Sequence, residues 1–163
     1  LATLHANNSY HALNRIINFF PMENRTALYL DLAVTLKAII SQRLVKKPDG
    51  KRFPAAEILL NTRHIQELIE RGEINAIKEA MEQSLAPGSQ TFEQDLFRLY
   101  REDIISLDEA LANADSPTNL SWLINNAALG APAAAVDADP APISTDPGQT
   151  SSFQEFKITL DGA

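Results

Sequence analysis

A chain of 163 residues, 45% of them apolar, carries enough apolar side chain for one modest core, so one globular domain, or one domain and a tail, is the expectation. Fourteen Lys and Arg stand against 21 Asp and Glu, a net charge of −7, so no broad cationic surface is available to release counterions from a nucleic acid, and nucleic acid is excluded as a main partner. Cysteine is absent, which excludes disulfides, thiolate zinc sites and cysteine nucleophiles and suits a reducing compartment such as the cytoplasm.

In chain order, Leu1-Ala2-Thr3-Leu4 has no initiating Met and is expected to be a strand already under way, with the true amino terminus and any targeting signal upstream. His5-Ala6-Asn7-Asn8-Ser9 is a polar turn rich in N-cap residues ahead of a helix, whose apolar face is Leu13, Ile16, Ile17 and Phe20 and which Pro21 stops. From about Glu23 to Ile40 apolar residues recur almost all round, with Leu28, Leu30, Leu32, Val34 and Leu36, and a helix buried on more than one side is expected. Ile40 to Lys46 and Phe53 to Leu60 flank Lys47-Pro48-Asp49-Gly50, and Asp-Gly predicts a hairpin whose two turn residues both take positive φ. Pro54 puts its strand at an edge there.

Short capped helices are expected next. One opens at Asn61-Thr62 with Ile65, Leu68 and Ile69 on its face and ends at Gly72 in the left-handed region; another holds Ile74, Ile77 and Met81 and stops at Pro87-Gly88. Thr91-Phe92-Glu93-Gln94 and Ser106-Leu107-Asp108-Glu109 each predict a capping box. Ser116-Pro117 caps a last helix with Leu120, Leu123, Ile124 and Ala127 on its apolar face, where Trp122 is expected to pack. From Leu129 onward Ala, Pro, Asp, Gly, Ser and Thr dominate, and residues 129–163 are expected to be a disordered Ala/Pro-rich tail; Phe153, Phe156, Ile158 and Leu160 make its end either a docking peptide or a free terminus.

For chemistry, Thr3 and His5 are two residues apart, so on a strand they face one way at its carboxy end, where α/β sheets bind ligands. A histidine there can donate to a phosphate oxygen or hold a water, and Thr3 adds a hydroxyl; the plain alternative is a hydrogen-bonded structural histidine. His11 and His64 read as solvated or interface histidines and point to no metal. Arg43 and Glu57 read as an opposite-charge cross-strand contact, worth a fraction of a kcal/mol if exposed, with no catalytic role. No G-x-x-x-x-G-K-[ST] occurs and no acidic strand end precedes Leu1, so Walker A and Walker B are both missing.

The opening, Leu1 to Asn8 followed by Ala12-Leu13-Asn14-Arg15-Ile16-Ile17-Asn18-Phe19-Phe20-Pro21, resembles the end of the His box and the next helix of secretion-type motor ATPases. Ser41-Gln42-Arg43-Leu44-Val45, Ala55-Ala56-Glu57-Ile58-Leu59 and Gln90-Thr91-Phe92-Glu93-Gln94-Asp95-Leu96 continue the resemblance in order. Assembly and secretion branches usually carry a four-cysteine zinc insertion where this chain has only the Asp49-Gly50 hairpin, so the resemblance is to the PilT/PilU family of type IV pilus retraction ATPases, nearer its PilU branch. His64 to Arg71 resembles the family's "AIRNLIRE" retraction helix at Ile65, Leu68 and Ile69, although that spacing equally fits core packing.

The resemblance implies an α/β fold: the carboxy-terminal part of a RecA-like P-loop ATPase domain (1–61: strand, two helices, hairpin), a helical bundle-like region (62–128) and the tail. It implies that His5, with Thr3 beside it, contacts the γ-phosphate of ATP. ATP and Mg²⁺ are implied cofactors of the intact protein, neither bound tightly nor turned over by this chain alone. The implied partners are a homo-hexamer, related retraction ATPase subunits and the inner-membrane pilus platform protein. No run reaches the roughly 20 apolar residues of a bilayer span, so the expected location is cytoplasmic, peripheral to the inner membrane at the pilus base. Two other readings stay open: a non-enzymatic helical interaction module, which would account for the missing P-loop, and a relative of pilus-assembly or type II secretion ATPases.

Overall fold

In the computed structural model, which describes residues 2–128, regular structure begins where the sequence places a capping side chain. Asn8 is extended and its side chain accepts from the His11 amide at 2.9 Å, starting helix α1, Ser9–Asn18. The strand expected at Leu1–Leu4 is not formed: Ala2–Ala6 have no regular structure, and Leu1 lies outside the described residues. A strand exists by pairing, and the hairpin described below is the whole of the sheet among these residues.

After Pro21 a single 3₁₀ turn, Met22–Asn24, leads into α2, Arg25–Thr35. The helix expected to reach Ile40 stops five residues earlier. Asn61 Nδ2 donates to the carbonyls of Ala33 (2.9 Å) and Leu36 (2.8 Å), Leu36 turns extended, and β-branched Ile39 and Ile40 pair with Leu59 and Ile58 instead. Nor is α2 buried on several sides. Ala33 is its fully buried residue, while Leu30 and Val34 are 54% and 68% exposed, so the apolar excess lies on an open face.

Strands β1, Ala38–Lys46, and β2, Arg52–Leu60, form the antiparallel hairpin in the register Ala38↔Leu60 to Lys46↔Arg52. Its turn differs from the expected form: Gly50 has φ 81°, Asp49 does not have positive φ, and Gly50 N–H donates to Lys47 C=O at 2.9 Å. Pro48 fixes the first central φ near −65°, which selects a type I turn followed by a left-handed glycine.

Helix α3, Arg63–Glu70, is capped by Thr62 and ends at Gly72, φ 71°. A 3₁₀ turn, Ile74–Ala76, precedes α4, Ile77–Glu82. Helix α5, Phe92–Arg101, has the reciprocal capping box of Thr91 and Gln94. For α6, Leu107–Asn113, the expected box is half made: Ser106 accepts from Glu109 N–H, but the Glu109 carboxylate turns to the Lys46 amide at 2.7 Å. Helix α7, Pro117–Ala128, starts at Ser116, which accepts from Asn119 N–H. Trp122 is 65% exposed rather than packed, because Leu120 and Ile124, two positions either side of it, take the inward face.

Two apolar clusters hold these elements. Leu13, Ile17, Ala33, Leu59, Ile65, Leu68, Ile69, Ile74, Ile77 and Met81 form one; Val45, Ala55, Phe92, Leu96, Leu99, Ile105, Ala110 and Leu120 form the other. The hairpin contributes to both, and Leu59 packs with the α3 residues. The α/β class holds for the described residues. The expected tail, with Phe153, Phe156, Ile158 and Leu160, lies outside them.

Candidate functional site

His5 is exposed on the segment that enters α1, and Thr3, two residues before it, is exposed too. Arg15, ten residues on, lies on α1 and reaches back, so that its Nη1 donates to the His5 carbonyl at 2.9 Å. His5, Asn7, His11, Asn14, Arg15 and Asn18 line an open groove together with Ala6 and Phe19. None of these lining residues is acidic, although the whole chain carries −7. A guanidinium, two imidazoles and three amides make that groove a donor-rich surface suited to an anion.

The tautomer of His11 follows from its neighbours. Asn8 Nδ2 donates to Asp115 Oδ2 at 2.7 Å, which turns Asn8 Oδ1 toward the His11 backbone N–H and toward His11 Nδ1, 2.7 Å away. An amide oxygen only accepts, so in this contact Nδ1 carries the proton.

Behind the groove lies a polar network that the sequence did not reveal. Glu57, 4% exposed, accepts the Ser9 amide at 2.7 Å and so satisfies a first-turn donor of α1. Burial pushes the Glu57 carboxyl above its ordinary range, against the lowering effect of the Ser9 bond, and the charges of Asp115 and Glu93 add to the rise. Arg43 does not pair with Glu57 as expected. It forms an ion pair with Asp115, donates to Asn113 C=O at 2.5 Å and to Asn7 C=O at 3.2 Å, and lies 3.9 Å from the centre of the Phe92 ring. The reason is register: Glu57 sits opposite Ser41 and points at the N-terminus of α1, while Arg43 sits opposite Ala55 and reaches the end of α6 and Asp115 in the α6–α7 linker. Partial burial pushes the Asp115 carboxyl up, but hydrogen bonds from Asn8 and Arg43 and the guanidinium charge outweigh it and hold the group below the usual aspartate range.

Glu93, 2% exposed, accepts from Ser116 N–H at 2.7 Å and from Lys78 Nζ at 3.3 Å, so it ties α5 to the start of α7 and to α4. The one signal for these residues in sequence is a carboxylate set among apolar neighbours, as in Ala55-Ala56-Glu57-Ile58-Leu59.

Of the other expected site residues, Ile65, Leu68 and Ile69 are all buried in the first apolar cluster, so the spacing on α3 is that of core packing. His11 and His64 are exposed. Among the described residues no three His, Asp or Glu side chains lie close enough to hold a metal ion, and no helix is long and apolar enough to cross a membrane.

No protein-family model matches the chain. Among curated proteins it is 47% identical over 125 residues to the type IV pilus ATPase PilU of Pseudomonas aeruginosa, across 76% of this chain and 33% of that protein. It is 31% identical over 117 residues to the type IV pilus retraction ATPase PilT of the same organism (72% and 34%) and 31% identical over 121 residues to a twitching motility protein of Neisseria gonorrhoeae (74% and 32%). The chain thus spans about a third of the length of the curated relatives it matches. Among solved structures it superposes on the pilus retraction motor PilT with bound ADP, TM-score 0.65 at 30% identity, over 73% of this chain and 33% of that one. It also superposes on the ATPase DotB of Yersinia pseudotuberculosis, TM-score 0.57 at 28% identity, over 67% and 28%.

Proposed function

Because the chain belongs to the PilT/PilU family of type IV pilus ATPases, we propose that it forms the carboxy-terminal part of a hexameric, ATP-driven motor that retracts the pilus in twitching motility. Its share of the machine would be the last portion of a RecA-like domain and the helical region that follows. The 47% identity to PilU, against 31% to PilT, supports the PilU side of the family. The motor would work at the cytoplasmic face of the inner membrane, on the platform protein at the pilus base, with related retraction ATPase subunits as companions.

The observation that carries the reading is the acid-free groove of His5, His11 and Arg15 on a strongly acidic chain. His5 would meet the γ-phosphate of ATP, with Thr3 beside it, and stabilise charge on the transferring group. Arg15 fixes the His5 backbone, so the imidazole approaches from a set position. Backbone cradling of the phosphates and the Mg²⁺ ligands would come from outside this chain, since it has no P-loop. On that ground the 163 residues alone neither bind ATP tightly nor hydrolyse it. Helix α3 would act in retraction through its polar outer side, with Ile65, Leu68 and Ile69 holding it in place.

The test is steady-state ATP hydrolysis by the full-length protein. His5→Ala should lower kcat by about 100-fold, the scale of losing one oriented donor to a developing anion, with KM for ATP changed about threefold or less. Equal turnover in the two proteins removes His5 from the site. A full-length protein without any nucleotide hydrolysis would favour the helical interaction module instead.

A further inference from the structure

The Arg43 side chain is 21% exposed and joins parts of the chain far apart in sequence: Asn7 before α1, Asn113 at the end of α6, Asp115 in the α6–α7 linker, and Phe92 at the start of α5. Asp115 in turn holds Asn8, whose side chain caps α1 through the His11 amide. Seating of the linker therefore sets both the Asn7 carbonyl and the Asn8 cap, two and three residues after His5. Only a planar fork can serve these acceptors at once while stacked on a ring; a lysine ammonium can match the charge but not the geometry.

We propose that Arg43 is a positioning residue that couples the seating of the α6–α7 linker to the placement of the His5-bearing segment, so that movement of the helical region reaches the phosphate site through one guanidinium. The coupling rests on the motor reading above. Its physical content is a two-way constraint: loosening the linker frees the segment, and anchoring the segment on a ligand tightens the linker.

The experiment uses the full-length protein, its Arg43→Lys and Asp115→Asn variants, and two readouts. In amide hydrogen exchange, His11 and Ala12 report on the Asn8 cap, because their N–H groups donate to its side chain and its carbonyl. Both variants should speed exchange at these amides about tenfold, the scale of one lost charge-assisted hydrogen bond, while Leu96 and Leu99 amides in α5 stay as they were. ATP turnover should fall about tenfold in kcat with KM for ATP within about twofold. Unchanged exchange at His11 and Ala12, equal acceleration throughout α5, or loosened amides with full turnover would each overturn the coupling. A wild-type protein inactive toward ATP would sink the motor reading itself, and the exchange pattern would still decide whether the linker holds the segment.

Discussion

The Glu57 carboxylate receives the Ser9 amide at 2.7 Å across 48 positions of sequence, placing a buried negative charge at the positive end of α1. The bond costs desolvation and saves an orphan donor, and two substitutions separate these effects. Glu57→Ala should destabilise the fold by about 2 kcal/mol, because the Ser9 N–H loses its partner in a dry site. Glu57→Gln keeps an accepting oxygen and removes the buried charge, so its stability at pH 7 should equal or exceed the wild type in urea denaturation.

The pH profile of the same pair follows. Glu57 titrates above the ordinary glutamate range when folded, so the native chain takes up its proton before the unfolded chain does. Between the raised and the ordinary value, this group alone makes the fold more stable as pH falls. Glu57→Gln should abolish that contribution, seen as a flatter stability curve on the mildly acidic side.

Asp115 has the opposite sign. Its folded carboxyl lies below the usual range, so its contribution is fully present above the unfolded aspartate value and is lost as pH falls through the folded one. Asp115→Asn should cost about 1 kcal/mol at neutral pH, a figure kept low by solvent at the open side of the ion pair. The gap between variant and wild type should close below the ordinary aspartate range, as read from denaturation midpoints.

Gly72 ends α3 with φ 71°, and a Cβ there would sit 2.9 Å from Tyr29 Cε2. Gly72→Ala combines left-handed strain with a ring that must shift, and should cost about 2 to 3 kcal/mol. Thermal unfolding checks it. Gly50→Ala has the same φ problem but open space around it, and should cost about 1 kcal/mol less.

Thr91 caps α5 reciprocally with Gln94 and is 1% exposed. Thr91→Ala should cost about 1 to 2 kcal/mol, and Thr91→Ser less than half of that, because serine keeps the accepting oxygen.

Local signals carried much of this fold into the sequence. Asn8, Thr62, Thr91, Ser106 and Ser116 each mark a helix start, and Pro48-Asp49-Gly50 marks the hairpin, because capping and turn chemistry act within a few residues. The end of α2 was not legible, since the carbonyls of Ala33 and Leu36 are taken by Asn61, 28 and 25 residues on. The groove was not legible as a unit: the Thr3–His5 spacing has meaning on a strand, which is not formed, and Arg15 and His11 join His5 only once α1 is wound. The network behind it showed in sequence only as a carboxylate among apolar neighbours, without its partners. Arg43, Asp115, Glu57 and Ser9 meet through strand register and the path of the α6–α7 linker, which no local pattern encodes.

The shared ownership of the hairpin has a consequence for how the described residues come apart. Leu59 is lodged in one apolar cluster and Val45 and Ala55 in the other, so neither cluster can melt without pulling on the same two strands. Heat or denaturant should therefore dissolve both in a single cooperative step, and force applied to one end should be transmitted to the other with the stiffness of a lever.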